Sequence, residues 1–436
     1  MDVNDPTKIA IREKALAVID GFMRKDESVK IKYAAKYASI QNAYKKWQGE
    51  VMGLRSTGAL LKKRTYETDF QKRVDANPAW RADYGTLLSD LTGAYAEIRE
   101  LGQNRDFYIE TIARIEAFAV ASTLSQLAST IEKSGPEGLE RALPGVRERL
   151  KDIYKEYDPR VDQALFEVLL HHFATGQDTK KISPLLQQKA TDAGGYKALA
   201  EQTYTGSILD DGEAVLQALE KDPSGFLQTV RSDPFNLLLN SLSSTYNNAV
   251  TAKLAPTQNQ INRLQRTYMK AQLDVFPEKT FYPDANSTLR VTYGNVKGYQ
   301  PRDAVGYGPY TYLDGVIEKF KPGDYEFDLP EKLRQLYKAR DYGVYGVAGK
   351  MPVCFIAMNH TTGGNSGSPA LDAWGNLVGL NFDRVWEGTM SDINYDPSIC
   401  RNIMVDIRYV LFIIDKFAGA SHLVGEMNLV HSKKKP

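Results

Sequence analysis

Through the first two-thirds of the chain, apolar residues recur at helical spacing. Ile11, Ala15, Val18, Ile19 and Phe22 share one face, as do Tyr84, Leu87, Leu88, Leu91, Tyr95 and Ile98. A long periodic run from Asp106 is expected to stop at Ser134-Gly135-Pro136, a helix-ending combination. Asp158-Pro159, Asp222-Pro223 and Asp233-Pro234 each place an N-cap acid before a proline suited to a first helical turn. Alternating β-branched runs are scarce here, so residues 1–276 read as an α-helical domain.

After Phe276-Pro277 the pattern changes. Leu289-Arg290-Val291-Thr292-Tyr293 alternates, and glycines, prolines and tyrosines punctuate short strands through Tyr345 and Val347. Pro352–Met358 and Leu377–Phe382 are apolar and strand-like. Asp406 to Phe417 reads as a closing strand passing into a helix toward Met427, and Ser432–Pro436 as a frayed basic tail. Residues 277–436 therefore read as a β-barrel, which makes the chain a multidomain α + β protein.

The 436 residues suffice for two or three domains with sizeable cores. With 55 basic and 54 acidic residues the net charge is +1, which gives no footprint for nucleic acid or a membrane surface. No apolar run approaches the roughly 18–20 residues of a membrane span. Met1-Asp2-Val3-Asn4-Asp5-Pro6 is polar and lacks the hydrophobic stretch of a signal peptide, which taken alone points to the cytoplasm. Cys354 and Cys400 sit in apolar contexts that favour free thiols. The five histidines, His171, His172, His360, His422 and His431, are too scattered for a zinc site, so no metal or cofactor is implied. The oligomeric state, a homodimer included, is left open.

Candidate chemistry concentrates in Thr361-Thr362-Gly363-Gly364-Asn365-Ser366-Gly367-Ser368-Pro369, between the strand-like runs Pro352–Met358 and Leu377–Phe382. Glycines around one serine permit a tight turn that a Cβ would oppose. Such a turn can aim the amides of Gly364 and Ser366 beside the Ser366 hydroxyl, giving a nucleophile with oxyanion donors. A glycine-rich hairpin holding a satisfied serine is the plainer alternative.

The string Gly-Gly-Asn-Ser-Gly-Ser-Pro resembles the nucleophile loop of chymotrypsin-fold serine peptidases. Three segments extend the likeness: Gly-Asn-Leu-Val-Gly-Leu-Asn-Phe-Asp-Arg-Val-Trp-Glu-Gly from Gly375, Val-Asp-Ile-Arg-Tyr-Val-Leu-Phe-Ile-Ile-Asp-Lys-Phe-Ala-Gly-Ala from Val405, and Lys30–Ala38 with Asn42, Trp47, Gly49 and Gly53-Leu54. Together they resemble serine peptidase family 46, the bacterial dipeptidyl-peptidases of types 7 and 11, over nearly the whole chain.

The resemblance implies a helical cap domain inserted between two chymotrypsin-like barrels, in enzymes of the Gram-negative periplasm or cell surface. It makes Ser366 the nucleophile and Gly364 an oxyanion donor. Arg384 becomes the floor of the S1 pocket, where a guanidinium fork suits an acidic P1 side chain; without the motif, Arg384 reads as solvated or as one half of a structural ion pair. Asp383 becomes the anchor for the substrate's α-ammonium, and Asn42 a second contact to it. Asn365 stands where zymogen-activated relatives carry an aspartate, so activation by N-terminal insertion is not expected.

A histidine base and its orienting acid, normally supplied by the first barrel, have no recognisable segment here. The expectation is a chain that lacks that barrel. The implied partners are peptides with a free N-terminus. An apolar-P1 dipeptidyl-peptidase, a chymotrypsin-like endopeptidase and a non-catalytic helical binding module remain alternatives.

Overall fold

The computed structural model describes residues 4–283 and 286–430; His431 and the basic tail lie outside these. The chain divides into two compact units, one of residues 1–48 and 62–282, the other of residues 49–61 and 283–436. The short segment 49–61 thus packs with the second unit, although by sequence it lies inside the helical region.

The first unit is helical. Ile11, Ala15 and Ile19 are buried on the helix Asn4–Met23. The face from Tyr84 to Ile98 is broken, because Tyr84 ends the short helix Pro78–Tyr84 and the next begins at Leu87. Asp158, Asp222 and Asp233 each cap a helix that starts with proline, accepting from the amides of Arg160, Gly225 and Phe235. The run expected from Asp106 is interrupted at Thr111–Ile115 and restarts as the helix Glu116–Lys155. Gly135, at φ +61° and ψ −158°, is non-helical and divides this run into two helices across a kink at the expected place, in a conformation that glycine adopts without a Cβ clash.

The restart at Glu116 has no capping side chain of its own. Asp162, on the helix Pro159–Thr175, supplies the cap. Its carboxylate accepts from the amides of Glu116 (2.8 Å) and Ala117 (2.9 Å) and from the Tyr204 hydroxyl (2.7 Å). Asp162 is fully buried, and burial, with the nearby Glu116 carboxylate, pushes its pKa from 3.8 up to about 7.

The second unit carries the strands β1 (Tyr299–Arg302), β2 (Val305–Tyr307), β3 (Tyr310–Tyr312), β4 (Pro352–Ala357), β5 (Pro369–Leu371), β6 (Leu377–Arg384) and β7 (Asn402–Asp406). β1 and β2 form a two-stranded ribbon. The others make one antiparallel sheet in the order β3-β4-β7-β6-β5. β3 and β5 are its free edges, so among the described residues the sheet is open where the sequence pointed to a closed barrel. The alternating segment Leu289–Tyr293 is not a strand. Its apolar side chains Leu289, Val291 and Tyr293 are 97%, 84% and 90% exposed, and alternation without a partner edge builds no sheet. Tyr345 closes a 3₁₀ turn, Gly343–Tyr345, while Val347 forms an isolated bridge with Lys350. Beyond β7 the chain enters the helix Ile407–Phe412, capped by Asp406, whose Leu411 and Phe412 are buried in a core with Leu313, Met351 and Tyr342.

Because burial raises the Asp162 pKa in the folded state, the folded form binds the proton more tightly than the unfolded chain does. The stability this proton confers is complete below about pH 4 and is lost as pH rises through about 7. Urea denaturation of the first unit's helices across pH 4–8 is expected to show falling stability, and Asp162→Asn a flatter profile. A wild-type profile as flat as the variant's would show that the carboxyl titrates normally.

Candidate active site

The loop 361–368 leaves β4 and re-enters the sheet at β5 as two consecutive turns. The Asn365 amide donates to the Thr362 carbonyl (3.2 Å), the Asn365 side chain accepts from the Thr362 amide (3.0 Å), and the Ser368 amide donates to the Asn365 carbonyl (3.0 Å). Gly364 (φ +96°) and Gly367 (φ +87°) take up the left-handed backbone on either side of Ser366. Ser366 is exposed, and its hydroxyl donates to the Phe382 carbonyl at 3.3 Å, a long and weak bond. Neither the Gly364 nor the Ser366 amide donates to an acceptor among the described residues. The loop therefore presents a hydroxyl and two unengaged amide donors to solvent.

Asn381, buried on β6, fixes this loop. Its carbonyl accepts from Gly367 (2.7 Å), its amide donates to Ser368 (2.9 Å) and its side-chain NH2 donates to the Asn365 carbonyl (3.2 Å). Its side-chain oxygen accepts from Asn402 of β7 at 2.8 Å. Between Asn381 and Asp383 the pairing with β7 shifts by one residue, a bulge that leaves Phe382 and Asp383 both exposed. The carbonyl that meets Ser366 thus belongs to the residue preceding Asp383 and Arg384.

Arg384 has partners that the sequence reading missed. Its Nη1 and Nη2 donate to the two carboxylate oxygens of Asp392 at 2.9 and 3.0 Å, and Nη1 also donates to Ser391 Oγ at 2.6 Å. The two ion-paired side chains retain 16% and 24% exposure. Asp392 and Ser391 end a 3₁₀ turn, Trp386–Asp392, with Met390 fully buried. Helix residues Gly49 and Gly53 back this turn, where an added Cβ would come within 2.6 Å of Thr389 and 2.7 Å of Met390. Nothing in the string Gly388-Thr389-Met390-Ser391-Asp392 announces this pairing. Only its acid and hydroxyl, a few residues past an arginine, hint at it.

The other candidates are placed as follows. Asp383 is exposed, one carboxylate oxygen accepting its neighbour's amide from Arg384 at 2.8 Å. Asn42 is exposed on the helix Glu27–Ser56 and lies in the first unit. His360 contacts the Ser391 carbonyl (3.1 Å) and lies against the Tyr395 ring at a tilt of 32°, while His171 and His172 belong to the helix Pro159–Thr175 and His422 to Ser421–Gly425. Among the described residues, then, the Ser366 hydroxyl meets a carbonyl and no imidazole. Cys354 and Cys400 are both free thiols, and burial raises the pKa of each.

A family model described as Peptidase S46 matches residues 1–429. The chain is 49% identical over 432 residues to the Asp/Glu-specific dipeptidyl-peptidase of Flavobacterium psychrophilum, covering 99% of this chain and 60% of that protein. It is 46% identical to the enzyme of the same description from Capnocytophaga gingivalis, covering 98% and 60%. Dipeptidyl-peptidase 7 of Phocaeicola vulgatus is 33% identical, with 98% and 59% covered. Among solved structures, that of Porphyromonas endodontalis DPP11 in complex with the dipeptide Arg-Glu matches with a TM-score of 0.84 at 34% identity, over 98% of this chain and 60% of that one. The chain thus spans about three-fifths of the length of the relatives it matches.

Asn381→Asp tests the anchoring of the loop. It replaces the donor facing the Asn365 carbonyl with a second acceptor, which is expected to cost about 1–3 kcal/mol. Amide exchange at Gly367 and Ser368 is expected to accelerate, with a lower urea midpoint. Unchanged exchange at both amides would show that the loop holds its shape without Asn381.

Proposed function

The chain belongs to the Peptidase S46 family, and on that premise we propose that it carries the nucleophile and S1 pocket of a serine dipeptidyl-peptidase. The enzyme releases N-terminal dipeptides that end in Asp or Glu. One observation carries the reading: the Ser366 hydroxyl rests on the Phe382 carbonyl, against the strand end where Asp383 and Arg384 follow. The serine loop thus meets the end of β6, the strand end that carries the anion and the guanidinium. The relatives described as Asp/Glu-specific, at 49% and 46% identity, support acidic P1 over the apolar alternative.

In this reading Ser366 Oγ adds to the P1 carbonyl while the Gly364 and Ser366 amides take the developing oxyanion. Collapse expels the amine of the shortened peptide, and water hydrolyses the dipeptidyl ester. The hydroxyl proton passes by way of a general base to the leaving amine. Asp383, with one carboxylate oxygen unengaged, holds the substrate's α-ammonium. Because that charge lies about two residues, or roughly 7 Å, from the scissile bond, a fixed anion measures off a dipeptide. The open five-stranded sheet is read as part of a chymotrypsin-like barrel, and the site of action as the periplasm or cell surface. Among the described residues, no helix is long and apolar enough to cross a membrane.

Two substitutions in the natural full-length protein test these roles, read as kcat/KM on matched dipeptidyl substrates. Arg384→Gly is expected to lower the preference for Asp and Glu over Leu and Met by roughly 2–5 kcal/mol, the scale of removing one partner of a buried charge pair. Retained acidic preference would remove Arg384 from the S1 pocket. Asp383→Ala is expected to cost about 1.5–3 kcal/mol on substrates with a free amine and far less on N-blocked peptides. Equal losses on both would make Asp383 structural.

A further inference from the structure

A guanidinium has five N–H donors in one plane, and their directions are fixed. In Arg384 three are occupied: one from each terminal nitrogen by Asp392, and the second of Nη1 by Ser391. The Nε–H and the remaining Nη2–H find no acceptor among the described residues. These two bonds lie side by side along one edge and point the same way, the geometry that takes both oxygens of a carboxylate. The Arg384 side chain keeps 16% of its surface exposed.

We infer that Asp392, seconded by Ser391, is a positioning residue for P1 recognition. It holds the far edge of the Arg384 guanidinium so that one two-donor fork remains, aligned for the substrate's Asp or Glu carboxylate. The inference rests on the reading of Arg384 as the S1 determinant and deepens it. Asp392 also neutralises the arginine, so the pocket is no bare cation that draws any anion from solution. Selection then comes from directed hydrogen bonds, which depend on reach and angle, and a fixed guanidinium sets which P1 side-chain length fits. The turn carrying Asp392 is well placed for this work, because its close packing on Gly49 and Gly53 restrains its movement.

The experiment measures kcat and KM of the natural full-length protein on matched substrates with Asp, Glu and Gln at P1. Wild type is compared with Asp392→Ala, Asp392→Asn and Asp392→Glu, with melting temperatures taken alongside. Asp392→Ala is expected to lose at least 10-fold in kcat/KM on both acidic substrates, mostly in kcat, with the Asp:Glu ratio moving toward one. Gln should change less than 3-fold. Asp392→Asn, which keeps an acceptor, should fall between. Asp392→Glu should restore acidic preference with an altered Asp:Glu ratio. An equal loss on Gln would make the pair a mere structural prop and overturns the inference, as would unchanged acidic kinetics. A gain on both acidic substrates, the outcome of relieved charge repulsion alone, overturns it too. Arg384→Ala run beside these separates the two levels: if it keeps acidic preference, the S1 reading itself fails, whatever Asp392 does.

Discussion

The shape of the loop that carries Ser366 depends on Asn381. A buried asparagine is costly unless its polar atoms are satisfied, and here the two main-chain groups and both side-chain groups find partners at 2.7–3.2 Å. Three of these bonds end on residues 365, 367 and 368, on both sides of Ser366. The fourth ties the same side chain to Asn402 in the neighbouring strand. A serine on a glycine-rich turn would otherwise wander, because residues at positive φ impose little stiffness of their own. The rigidity comes from the sheet and is delivered through one amide.

A second constraint is electrostatic. A partly buried guanidinium needs an anion, and Asp392 provides one in the bidentate arrangement that offsets desolvation best. The ion pair and the binding reading of Arg384 are usually weighed against each other. With five donors on one side chain they are compatible, since the ion pair leaves an edge free. The bulge at Phe382 links the two constraints. By inserting one residue it lets Asn381 face inward while Phe382 and Asp383 are both exposed and the Phe382 carbonyl meets the Ser366 hydroxyl.

Local chemistry was legible in the sequence; long-range pairing was not. The Asp-Pro caps, the helical first unit, the strands on either side of residue 366 and the turn glycines are written in neighbouring residues, and the structure has them. Asn381, Asn402, Ser391 and Asp392 carry no such signature, because their roles arise only when β6, β7 and the turn before β7 are brought together. Asp162 caps a helix that starts 46 residues earlier, which no local window reveals. The errors have the same origin. Leu289–Tyr293 has strand periodicity but no partner edge, and the short strands of the second unit did not disclose that β3 and β5 would stay apart. Family likeness, carried by Gly-Asn-Ser-Gly-Ser-Pro and the segments around it, supplied roles for Ser366, Asp383 and Arg384 that periodicity could not.

An open sheet has edges, and β5 lies at one of them, just past the loop that carries Ser366. It is only three residues long and opens with Pro369, which has no N–H to offer a neighbouring chain. A second copy of the protein, or an unfolded peptide, therefore finds little there to zip onto. The corner of the sheet beside Ser366 can stay uncovered in a concentrated solution without becoming a seed for aggregation.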